Sequence, residues 1–188
     1  MKTALRIAAA IDRLAATTSH AVRWGLLLNA LLIAGNAFMR KFFSLGWPLL
    51  YDLQWHFFAA AVMLMAAYTL QRDEHVRVDV LASRFGERGM AWLDLAGTVL
   101  VLIPLCLIVV WVTLPPFWHA LATGETRATR ENLSDLPAWI IKGFVPAGFL
   151  LLALQGVAEA IRCVAALRGV ARRPLHRRQP PEAGHADA

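Results

Sequence analysis

The sequence predicts an all-α membrane protein with four transmembrane helices and both termini on the cytoplasmic side. Three observations carry that expectation. Of 188 residues, 58% are hydrophobic and 17% charged, with a mean hydropathy of +0.51, whereas soluble domains carry about 25% charged residues. The apolar residues come in four long, nearly charge-free blocks. The Lys and Arg residues concentrate in alternate segments between those blocks. A soluble globule and a disordered chain are excluded, and two cysteines cannot staple a secreted scaffold. The net charge of +6 is explained by cytoplasmic loops and anionic lipid, so no nucleic-acid partner is expected.

Residues 1–20 read as a cytoplasmic amphipathic segment. Ile7, Ile11 and Leu14 fall at helical spacing, while Lys2, Arg6 and Arg13 supply a cationic side. No cleavable signal peptide is expected, because Ala8, Ala9 and Ala10 make too short an apolar region before Asp12 and Arg13. The four-helix membrane domain then covers residues 21–165, with spans at about 22–39, 53–71, 95–116 and 137–160. Arg23 closes the first span and can snorkel to the surface. The second contains only the neutral His56, the third no charge, and the fourth only Lys142 as far as Ala158. Helix is the form expected in lipid, where an open strand leaves its backbone groups unpaired.

The connections follow local rules. In the second, Val76, Val78 and Val80 alternate with His75, Arg77 and Asp79. Asp79 is a favoured cap for a short cytoplasmic interfacial helix, with Leu81 and Phe85 on one side and Arg84 and Arg88 on the other. In the third, Ser134 or Asp135 can cap the last span, with Pro137 in its first turn. Pro104 and Pro146 should each bend their helix. Most of the seven Trp residues fall near span ends, Trp111 being the exception. The tail, residues 166–188, is Arg-, Pro- and Ala-rich and reads as disordered. Fourteen of the nineteen Lys and Arg residues lie in residues 1–23, in the second connection or from Arg162 onward. That bias places both termini in the cytoplasm.

Residues that could carry chemistry are few. Haem between helices needs two facing histidines, and only His56 and His119 could serve. Cys106 and Cys163 are far apart and form no CxxC. Phosphate-loop, zinc-protease and hydrolase motifs are absent. No catalytic, cofactor-binding or metal-binding residue is therefore expected. Lys142 can snorkel to the external surface or pair with Asp52, Glu125, Glu131 or Asp135. Spans with so little polar content suit the partner of a solute-moving protein better than the mover itself.

Several strings carry a resemblance: Asp52-Leu53-Gln54-Trp55-His56-Phe57-Phe58-Ala59, Tyr68-Thr69-Leu70-Gln71-Arg72-Asp73-Glu74-His75-Val76-Arg77-Val78-Asp79-Val80, Ala91-Trp92-Leu93-Asp94-Leu95-Ala96-Gly97-Thr98, Gly124-Glu125, Leu136-Pro137-Ala138-Trp139-Ile140-Ile141-Lys142, Val145-Pro146-Ala147-Gly148-Phe149 and Leu154-Gln155-Gly156. Over roughly residues 20–165 the chain resembles the DctQ-type small membrane subunit of tripartite ATP-independent periplasmic transporters. Where many members carry an acidic pair after the Trp of the second span, His56 and Phe57 stand here. The resemblance implies a scaffold subunit of the bacterial inner membrane. It would bind a large membrane permease subunit that holds the substrate and sodium sites. A periplasmic binding protein would dock transiently and deliver an organic acid anion. The residues expected at partner interfaces are Trp55, His56, Arg77, Asp79, Gly97, Trp139, Lys142, Gly148 and Gly156. Two other classes remain open on the residues alone: a membrane redox or cytochrome-type subunit, and a small transporter working as a homo-oligomer.

Overall fold

The computed structural model describes residues 2–72, 87–126 and 136–170, and all of its regular elements are helices. In chain order these are α1 (Lys2–Phe43), α2 (Pro48–Gln71), α3 (Glu87–Ala96), a wide π-helical turn (Gly97–Leu102), α4 (Ile103–Thr123) and α5 (Ala138–Leu167). Helix α3, the π turn and α4 run on as one rod, so four helices are long and apolar enough to cross a bilayer. The expected cytoplasmic helix around Asp79 and the tail from residue 171 lie outside the described residues, as does Arg77.

Helix α1 is the longest element, 42 residues without a break, or about 63 Å of helix. Residues 2–20 continue the first span rather than forming a separate segment. Ala8, Ala15, Ser19, Val22 and Asn29 are buried along this helix, a stripe at heptad-like spacing that keeps one face towards the bundle. Ala15 meets Ala67 of α2 and Leu151 of α5 in a buried apolar cluster. Ile7 and Leu14, on the expected apolar side, are exposed. Small residues let helices approach closely in a membrane, so Ala and Ser mark the packed face and larger side chains the outer one.

Helix ends follow from local chemistry. Beyond α1 the chain turns at Ser44, whose φ of 55° is left-handed, and Leu45 N–H donates to Met39 O at 3.3 Å. Pro48 then opens α2, where its missing N–H costs nothing. The third span passes through Pro115 and Pro116 and stops only at Gly124, whose φ of 63° suits a glycine terminator. It therefore extends past the expected limit near residue 116. Glu125 O accepts from Ala138 N–H at 2.8 Å, tying the end of the third span to the start of α5.

Helix α5 is the hub. It packs on α1, α2 and every part of the third span, whereas the third span packs chiefly on α5. Two glycines make the closest approaches. A Cβ on Gly148 would stand 2.6 Å from Met63 O of α2, and one on Gly156 would stand 3.2 Å from Leu102 Cδ2. The second contact lies where the third span widens. Ile103 N–H donates to Thr98 O, a bond one residue longer than an α-helical one. Pro104 follows, in the first turn of α4. The wide turn precedes this proline and lies against the flat surface of Gly156.

Candidate functional site

Polar side chains are rare within the bundle and gather at its two ends. At the end where α2 and α5 finish, Asp12 of α1 meets the last turns of α5. Gln155 is fully buried, and its Nε2 donates to Asp12 Oδ1 at 2.8 Å. Arg162 Nη1 donates to both Asp12 carboxylate oxygens, at 2.9 and 2.7 Å. Its Nε and Nη2 both reach Glu159 Oε2 at 3.0 Å. One guanidinium thus holds two carboxylates, and its planar fork suits that task. A charged residue at this depth is costly unless paired. The clasp pairs Asp12 and joins residues 150 positions apart in the chain.

The same end holds a second constellation. Tyr68 of α2 is buried, and its hydroxyl oxygen accepts from Arg23 Nη2 at 3.0 Å and from Arg72 Nε at 2.8 Å. Both guanidinium carbons lie over the phenol ring, 5.2 and 5.3 Å from its centroid, within the range of a cation–π contact.

At the opposite end, Asp52 and His56 are buried on α2. His56 Nδ1 stands 2.9 Å from Asp52 O, one turn back. Nearby in the fold, Lys142 Nζ lies 2.6 Å from Glu125 Oε2, with side chains 34% and 43% exposed. Glu125 is one of the four carboxylates within the expected reach of Lys142. The histidines with haem potential differ in environment: His56 is buried on α2, and His119 is exposed on α4. Cys106 and Cys163 are separate buried thiols. Among the described residues no three His, Cys, Asp or Glu side chains converge as a metal site would require.

The other expected interface residues divide by position. Trp55 faces outward, its ring edge-on to Phe58 at 6.4 Å. Trp139 is exposed at the start of α5, and Gly97 is exposed with open space where a Cβ would stand. Gly148 and Gly156 are buried inside this chain's own bundle, where Met63 and the third span occupy the space above them. Arg77 and Asp79 lie outside the described residues. Sequence reasoning named Tyr68 and Gln155 only within the strings that carry the resemblance, and Asp12 only as a break in an apolar run, and gave none of them a partner. A carboxylate in a basic amino-terminal segment and an amide in an apolar span were the available signals.

A bundle of four apolar helices, with most of its polar side chains gathered at the rims, defines an integral membrane protein of the helical class. The family model for tripartite ATP-independent periplasmic transporters, DctQ component, matches residues 29–166, and the chain belongs to that family. No curated protein and no solved structure matches the chain. The matched stretch begins within α1 and includes all of α2 to α4 and nearly all of α5. It leaves out Asp12 and Arg23, which anchor the first half of α1 to the rest.

Proposed function

We propose that this chain is the non-catalytic scaffold subunit of a secondary active, sodium-coupled transporter that takes up an organic acid anion. It lies in the bacterial inner membrane with both termini in the cytoplasm. A large membrane permease subunit moves the solute, and a periplasmic binding protein delivers it. The observation that carries this reading is the family match over residues 29–166. Polar placement supports the scaffold role. An anion crossing lipid needs polar groups along its path, and here Asp12 holds Gln155 and Arg162 at one rim while Lys142 binds Glu125 near the other. The fourteen-to-five division of basic residues supports the orientation.

Reconstitution tests the reading directly. The large subunit, the binding protein and this chain are placed together in vesicles, and uptake of a carboxylate panel is measured with and without an inward sodium gradient. Uptake is expected only when all three are present and the gradient is applied. Uptake by this chain alone would support a self-sufficient transporter, and a haem absorbance band in the purified chain would support a redox subunit.

A further inference from the structure

We infer that Arg23, Tyr68 and Arg72 form a binding site for the phosphate of a membrane phospholipid, whose acyl chain lies along α1 over Leu27, Ala30 and Leu31. The charge arrangement comes first. The guanidinium groups of two exposed residues converge on the neutral hydroxyl oxygen of Tyr68, each with a nitrogen within 3.0 Å of it. Like charges this close repel each other. Among the described residues neither Arg23 nor Arg72 has a carboxylate within ion-pair distance. Arg162 at the same end is different, since two carboxylates hold it. An anion lying outside Tyr68 would neutralise both cations of the Arg23–Arg72 pair.

The donors fit phosphate. Each guanidinium has five N–H groups, and those not used on Tyr68 remain for a ligand. Phosphate oxygens match the arginine fork in geometry and charge. Tyr68 accepts two hydrogen bonds, so its own hydroxyl proton is left to donate.

The groove beside the site selects a lipid over a free ion. Trp24, Leu27, Leu28, Ala30 and Leu31 line an open apolar groove that begins next to Arg23. Leu27 and Ala30 follow Arg23 at i+4 and i+7, so they continue its face of the helix. A headgroup at the arginine pair and a hydrocarbon chain in this groove belong to the same molecule. Basic pockets between transmembrane helices bind lipid headgroups in this way.

The test uses the full-length chain in detergent, with binding followed by native mass spectrometry. Phosphatidylglycerol is the probe, diacylglycerol the analogue without phosphate, and inorganic phosphate the analogue without chains. One phosphatidylglycerol should bind, and diacylglycerol should not. Affinity should fall roughly tenfold or more in the Arg23→Gln, Arg72→Gln double variant, given the attraction each such charge adds. Ala30→Trp, which fills the groove and leaves both cations in place, should also weaken binding. It carries the test if the double variant does not fold. Equal affinity in wild type and the folded double variant would overturn the site. Displacement of the lipid by inorganic phosphate at matching concentration would make it a free-anion site and overturn the lipid assignment. Asp73 and Glu74 follow Arg72 and lie outside the described residues. If Asp73→Asn with Glu74→Gln raised affinity tenfold, those carboxylates would be the natural partners of the arginines, which would also overturn it.

Discussion

Helix α5 and the third span are both long, apolar and adjacent, yet they are used in opposite ways. The third span is the more apolar of the two, but only 11% of its most apolar window is buried, against 33% for α5. Leu100 and Trp111 of the third span are 73% and 80% exposed. In α5 the buried positions are mostly small or polar: Ala138, Gly148, Ala153, Gln155, Gly156, Ala158, Cys163 and Ala165. In water the more apolar helix would occupy the centre. In lipid hydrocarbon surrounds every helix, so close backbone approach and a few polar contacts decide which one is central. The third span presents its large side chains to whatever surrounds the bundle.

The sharpest way to break this comparison is to give α5 a large side chain. A Cβ at Gly148 already falls 2.6 Å from Met63 O and 2.8 Å from Met63 Cβ, and neither atom is the end of a flexible chain. Gly148→Leu is expected to cost about 3 kcal/mol or more by overpacking, read as a lower thermal midpoint and lower yield of the purified chain. Gly97→Leu in the third span meets open space and should be neutral or slightly stabilising, since glycine is a poor helix former. If both substitutions had the same effect, the distinction between hub and outer helix would fail.

The clasp gives the next largest effect. Asp12→Asn leaves Arg162 with Glu159 as its remaining carboxylate, and a lost charged hydrogen bond at a partly buried site costs about 1.5–3 kcal/mol. The amino-terminal half of α1 should loosen first, seen as faster hydrogen exchange over residues 8–22. A double-mutant cycle with Arg162→Gln should show a coupling of about 1–2 kcal/mol. Independent effects of the two substitutions would mean that the small-residue stripe alone holds α1.

These two predictions differ in how far the sequence announced them. The four spans were legible because apolar block length is a one-dimensional property. The start of the last span was not, since Pro137, rather than Ser134 or Asp135, stands at the N-cap of α5 and makes no side-chain cap bond. Nor was the role of α5. Gly148 and Gly156 look like partner-facing small residues until Met63 and Leu102 are placed opposite them, and no local rule names the opposing helix. Residues 2–20 read as an interfacial helix because Ile7, Ile11 and Leu14 dominate a periodicity count, whereas the buried contacts come from Ala8, Ala15 and Ser19. The Asp12–Arg162 pair spans 150 positions, a separation that pattern reading along one chain does not reach.

On the outer side of the comparison, Trp111→Ala should change the stability of the isolated chain by only about 0.5 kcal/mol, because the removed ring is exposed. If the large subunit covers this face, the same change should weaken co-purification while the thermal midpoint of the chain alone stays constant. A large loss of midpoint would show that the third span is packed more tightly than its exposure indicates.

The smallest effect is expected at the rim, where Lys142 of α5 meets Glu125 beyond the third span. The Nζ–Oε2 separation of 2.6 Å is short, but the two side chains remain 34% and 43% exposed. Solvent and salt screen such a pair, so it contributes about 0.5 kcal/mol. The neck of this connection has a second tie in the Ala138 N–H to Glu125 O hydrogen bond. Lys142→Ala should therefore lower the thermal midpoint slightly, and high salt should diminish the difference from wild type. In the reconstituted transporter the same substitution should change maximal rate or assembly and leave the order of preferred anions unchanged. A selective change in that order, with assembly intact, would move Lys142 from the scaffold to the substrate path and contradict the proposed division of labour between this chain and its large partner.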